Sequence, residues 1–133
     1  DFLSIREMME LKALELSMPR LDSDELLELQ NKNLPSARSG QSKLDDGLHQ
    51  YWIDRCDNRY IQDFFARYGV FYNTLFNSAA VEEPVKCVMA QEHRDIIDHM
   101  LEGDLRGAQK HLKKHIRDQQ DNVSRMISLL SSD

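Results

Sequence analysis

SKLDDGLHQYWIDRC, residues Ser42 to Cys56, sets an aspartate and a histidine four positions apart among apolar residues. Taken as a helix at about 100° per residue, Asp45 and His49 project into the same arc as Leu48, Trp52, Ile53 and Cys56. Asp46, Gln50 and Asp54 fall on the opposite side, where solvated residues are ordinary. The first arc is the one that folding buries. A carboxylate and an imidazole on a buried face are costly unless hydrogen bonds or a metal ion satisfy them.

The rest of the chain carries the same period. Phe2 to Met18 has Phe2, Ile5, Met9 and Leu16 at helical spacing and stops at Pro19, with Arg6 near the apolar positions rather than on the face with Glu10 and Lys12. Asp22 to Asn33 follows as a short amphipathic helix, Asp22 and Glu25 having capping-box spacing. Leu34 to Gln41, rich in Pro, Ser and Gly, is a loop. After Ser42–Cys56, Asp57-Asn58 breaks the pattern and can cap a helix over 59–77 whose stripe is Ile61, Phe64, Phe65, Tyr68, Phe71, Tyr72, Leu75 and Phe76. Pro84 opens a helix over 85–102, Gly103 stops it, and Asp104 caps a last helix over 105–130. With no strand-like alternation and no internal repeat, about six helices with short connections describe an all-α antiparallel helical bundle.

Composition agrees. The 133 residues suit one domain over 1–133, and 41% hydrophobic and 30% charged residues with five glycines and three prolines suit a helical protein. No apolar run reaches the length of a membrane span and no signal-peptide pattern opens the chain, so the cytoplasm is the expected location. A net charge of −6 without a basic, aromatic-interleaved patch makes this stretch a poor nucleic-acid binder by itself. Cys56 and Cys87 lie in apolar segments without CxxC spacing and read as buried free thiols. The chain opens at Asp1 directly in a helical pattern, so an upstream part is expected.

Five histidines occur, and the helical wheel sorts them. His93 lies on the stripe of Met89, Ile96 and Met100, and His99 points away from it. His115 sits at the edge of the stripe of Leu105, Ala108, Leu112, Ile116 and Val123, and His111 lies further toward solvent. His49, His93 and His115 thus reach inward from three helices, with Asp45 one turn from His49. Imidazoles and a carboxylate suit zinc or another divalent first-row ion, nickel and manganese included. Each histidine taken singly could instead be a hydrogen-bonded core residue.

Read in order, Asp45, His49, Asn58, Glu92-His93, Gly103-Asp104, Ala108 and His115-Ile116 reproduce a longer pattern. It resembles the FCD domain, the effector-binding domain of GntR-type transcription regulators of the FadR subfamily, and six helices resemble its smaller, VanR-like branch. The resemblance covers nearly the whole chain. It implies Asp45, His49, His93 and His115 as metal ligands and Arg6 as a cavity-facing contact for an effector carboxylate, with Arg67 a weaker second candidate. A surface Arg6 paired with Glu10 is the plain alternative. The resemblance also implies a homodimer and a separate N-terminal winged helix-turn-helix domain, absent from this chain, through which the parent protein reads DNA.

The expected function is a metal-containing sensor domain, not an enzyme, that binds a small organic acid such as a sugar acid, hydroxy acid or dicarboxylate. Two alternatives stand beside it: a metal-dependent hydrolase or isomerase, for which no general base is evident because Glu92 turns about 100° from His93, and a purely structural zinc site.

Overall fold

Among the residues that the computed structural model describes, 2–36, 41–45, 47–75 and 82–131, six α-helices carry most of the chain: α1 (Phe2–Ser17), α2 (Ser23–Asn31), α3 (Leu48–Arg55), α4 (Arg59–Leu75), α5 (Glu83–Leu101) and α6 (Leu105–Ser131). This is the all-α bundle expected from the periodicity. A 3₁₀ turn over Met18–Arg20, with Pro19 in it, closes α1. α5 and α6 form the main hairpin, α1 lies across α3 and α6, and α2 packs on α5. Trp52, Leu14, Leu26, Leu48, Ile96, Leu112 and Ile116 fill the space between them. Phe71, Tyr72, Leu75 and Phe76, expected on the stripe of α4, and Asp46 lie outside the described side chains.

Local chemistry sets the helix ends. Asp22 Oδ1 accepts the backbone N–H groups of Asp24 at 2.9 Å and Glu25 at 3.2 Å, which caps α2. The reciprocal half of a capping box does not form: Glu25 pairs with Arg55 at 2.7 Å, and the Asp22 N–H donates to Tyr51 Oη at 3.1 Å. Asp22→Ala is expected to cost about 1 kcal/mol, read as a lower urea midpoint with unchanged slope. Asn58 Oδ1 caps α4 through Tyr60 N–H at 3.0 Å and Ile61 N–H at 3.1 Å. Gly103, at φ +72°, turns the chain between α5 and α6, where a side chain would be strained. Asp104 Oδ1 then accepts Gly107 N–H at 3.0 Å.

The helix expected over 42–56 is shorter than its pattern. Its first turn is replaced by a loop, because the polar groups before Gly47 find partners elsewhere. Leu34 and Lys43 exchange an antiparallel bridge, Ser42 Oγ donates to Pro35 O at 2.7 Å, and Asp45 N–H donates to Asn33 Oδ1 at 3.0 Å. Asp45 and His49 therefore do not share a helix face. Asp45 belongs to the loop and His49 to the first turn of α3. Both cysteines are free; Cys56 is buried, while Cys87 is only half-buried. Among the described residues, no helix is long and apolar enough to cross a membrane.

Candidate metal centre

His49 from α3, His93 from α5 and His115 from α6 converge. His115 Nε2 lies 3.0 Å from His93 Nε2 and 3.2 Å from His49 Nε2, and the three histidines offer ligand atoms within 4.8 Å of one another. His93 and His115 are buried and His49 half-buried. His115, expected at the edge of a stripe, is fully enclosed.

Each ring's other nitrogen faces an oxygen from a different part of the chain. His115 Nδ1 lies 2.9 Å from Glu92 Oε1 and His93 Nδ1 2.8 Å from Asn33 Oδ1, while His49 Nδ1 contacts Glu10 Oε1. The identity of the Asn33 oxygen follows from its neighbours. Its Nδ2 donates to Leu29 O at 2.8 Å, and its Oδ1 already accepts the Asp45 N–H. The side chain is thus an acceptor toward His93, so His93 carries its proton on Nδ1. Glu10 and Glu92 impose the same tautomer on His49 and His115.

Electrostatics agree. Burial opposes ionisation of Glu10, but the fields and hydrogen bonds of His49 and Arg6 outweigh it and hold its pKa at about 2. Burial pushes His93 well below the ordinary imidazole range, and His115 and His49 push the same way. His115 is pushed down by burial, then by His49 and Arg6. Both rings are therefore neutral, with protons on Nδ1. At 3.0 Å their Nε2 lone pairs face each other with no hydrogen between them, an arrangement that a shared cation turns from repulsive to attractive. The spacing fits one, since two nitrogens each about 2.0–2.1 Å from a first-row ion lie about 3 Å apart.

Asp45 is placed differently from the histidines. It is not among the mutually close ligand atoms, yet its Oδ2 is buried and has no hydrogen-bond partner. Asn33 ties its backbone to the same amide that orients His93. A buried carboxylate oxygen lacking a donor is a polar group left to be satisfied.

Arg6 makes the Glu10 pair of the plain alternative, though not on the surface. It pairs with Glu10, Nε to Oε2 at 2.8 Å, but the pair is interior: Arg6 is 4% exposed and Glu10 1%. Arg6 Nη2 also donates to Gln119 Oε1 at 3.0 Å. Glu10, expected on a polar face with Lys12, is buried instead because Arg6, His49 and the Trp52 indole N–H, at 3.1 Å, all converge on it. Arg67 is exposed on α4. Glu92 does turn away from His93, as its helical offset requires, and in doing so meets His115. Glu10, Asn33 and Glu92 were not singled out as site residues from sequence, and only the capping and Glu-His patterns around them gave any signal.

A second group, His99, Glu102 and Asp104, lies at the α5–α6 turn. Gly107 N–H and the His99 ring hold Asp104 below the usual carboxylate range. His99 stacks on His111 with ring centroids 4.8 Å apart. These side chains are half-buried or exposed, and capping and stacking account for Asp104 and His99.

Comparison with curated proteins and with solved structures gives no match. A family model described as the FCD domain matches residues 1–118, which takes in α1, all three histidines and the Glu92-His93 and Gly103-Asp104 pairs. The chain therefore belongs to the FCD domain family, the effector-binding domain of GntR-type transcription regulators.

Proposed function

We propose that this chain is a metal-containing sensor of the FadR subfamily, in its VanR-like branch, that binds a small organic acid and so controls DNA binding by a cytoplasmic, homodimeric parent protein. The carrying observation is the convergence of three imidazole Nε2 atoms whose Nδ1 partners are all acceptor oxygens. His49, His93, His115 and Asp45 would hold the ion. Zinc suits this donor set, as do nickel and manganese.

A charge count indicates the ligand. Arg6 pairs with Glu10, and Lys114, 3.1 Å from Glu92 Oε2 and 2.9 Å from Asp118 Oδ2, is shared by two carboxylates. A divalent ion held by three neutral imidazoles and the Asp45 carboxylate would itself carry one net positive charge, which an organic anion neutralises. The ion supplies Lewis acidity toward a carboxylate oxygen, and Arg6 supplies a directional donor pair. The acid acts as a signal only if it binds two packings of the helices with different affinity. Hydrolase chemistry is disfavoured because Glu10 and Glu92, the buried carboxylates nearest the rings, are both committed to histidine Nδ1 atoms and are poorly placed as free bases.

Elemental analysis with thermal-shift screening against sugar acids, hydroxy acids and dicarboxylates tests this. One divalent ion per chain is expected, and an acid at a hundred times its Kd should stabilise the metal-loaded chain by about 2.7 kcal/mol, a rise of several degrees. No response to any acid, with unfolding on chelation, indicates a structural site instead. Consumption of the acid indicates an enzyme.

A further inference from the structure

Glu10, which the family pattern does not pick out, meets three side chains at the site. Its Oε2 accepts Arg6 Nε at 2.8 Å, and its Oε1 is shared by His49 Nδ1 and Trp52 Nε1, the latter at 3.1 Å. Arg6 in turn reaches Gln119 on α6, one residue past the end of the family match. One side chain of α1 thus joins a guanidinium anchored on α6 to an imidazole of α3.

Given a metal at the three histidines, as proposed above, we infer that Glu10 is a positioning residue that sets the metal affinity of His49 and transmits to it what happens at Arg6. A carboxylate on Nδ1–H fixes the ring with Nε2 facing the ion and makes that nitrogen a better donor. The same carboxylate shares its charge with Arg6, so its pull on His49 depends on how firmly Arg6 holds it. An anion that takes over the guanidinium releases Oε2, concentrates the carboxylate on His49 and tightens the metal. By reciprocity, the metal then tightens the anion. Arg6 and the ion are coupled through one atom group rather than through bulk repacking.

The protein carries its own reporter. Trp52 is the single tryptophan, its N–H donates to the same Glu10 oxygen, and its ring centroid lies 5.1 Å from that of His49. The test is Zn²⁺ titration of the wild-type chain, E10Q, R6M and the double variant, with a competing chromophoric chelator reading affinity and tryptophan emission reading Glu10. Glutamine keeps an acceptor for His49 but turns a donor toward Arg6. E10Q is expected to bind Zn²⁺ about 10- to 100-fold more weakly and to lose most of the Zn²⁺-dependent change in emission. R6M should tighten Zn²⁺ in the wild-type background and have no more than about a twofold effect on top of E10Q. Should R6M alone not fold, the comparison of E10Q with wild type in both readouts still decides. The inference is overturned if E10Q matches wild type in affinity or in emission response, or if Arg6 has equal effects in both backgrounds. A wild-type chain that binds no Zn²⁺, nickel or manganese overturns the metal proposal itself, a result distinct from a wild type and an E10Q variant that bind alike.

Discussion

Alanine at position 115 is expected to strip the domain of its metal. In the proposed site His115 would be the middle ligand: its Nε2 lies 3.0 Å from His93 Nε2 and 3.2 Å from His49 Nε2, and its side chain is completely enclosed. Removing an oriented ligand should exceed the loss from removing its hydrogen-bond partner, so affinity should fall by more than about a hundredfold. Stability should fall as well, because Glu92 Oε1 would lose its partner in the interior at a cost of about 1–3 kcal/mol. His111→Ala, one turn away on α6 but half-buried and stacked on His99, should leave metal content intact. Elemental analysis of both variants against wild type is the measurement; an unchanged metal content in His115→Ala would remove this residue from the site.

The second large effect falls on a residue with no ligand atom in the cluster. Asn33 is fully buried and uses both ends of its amide: Nδ2 on Leu29 O, Oδ1 on the Asp45 N–H and on His93 Nδ1. The turn that carries it is clamped from α5 by Arg94, whose Nη1 donates to Gln30 O at 2.7 Å and Asn33 O at 3.1 Å. Asn33→Leu leaves the Asp45 N–H and His93 Nδ1 without partners, while Leu29 O keeps the Lys32 N–H at 3.1 Å. A loss of about 2–4 kcal/mol is expected, since each unsatisfied buried group costs about 1–3 kcal/mol and some will relax. Metal affinity should drop about 10- to 100-fold, as His93 loses its orienting acceptor and the Asp45 loop its anchor. Asn33→Asp keeps the acceptor and should recover affinity better than stability. Chemical denaturation and metal competition on the two variants separate these effects. Equal metal affinity in wild type and Asn33→Leu would reduce Asn33 to a loop fastener.

The three histidines could be read from the sequence because each sits on an apolar stripe, and a stripe at the helical period is buried whatever it packs against. Arg6 was visible for the same reason, as a charge out of place among apolar neighbours. Glu10 was not. Its position in α1 reads as a solvated face, and what buries it is a histidine 39 residues away and a tryptophan 42 residues away. Glu92 was visible as part of Glu-His but assigned no work, since its partner His115 is on the next helix. Asn33 closed a helix and opened a loop, and nothing local distinguishes such an asparagine from an ordinary cap.

Asp45 marks the boundary most clearly. Four-residue spacing from His49 suggested one helix face, yet backbone donors at Lys43 and Asp45 are taken by Leu34 and Asn33, and the helix starts only at Leu48. By itself, the sequence determined the helices, their caps and the inward histidines, because periodicity and capping are short-range and act within a few residues. The tertiary structure alone decided which oxygens orient those histidines and where Asp45 lies, because hydrogen bonds between distant segments have no period to betray them.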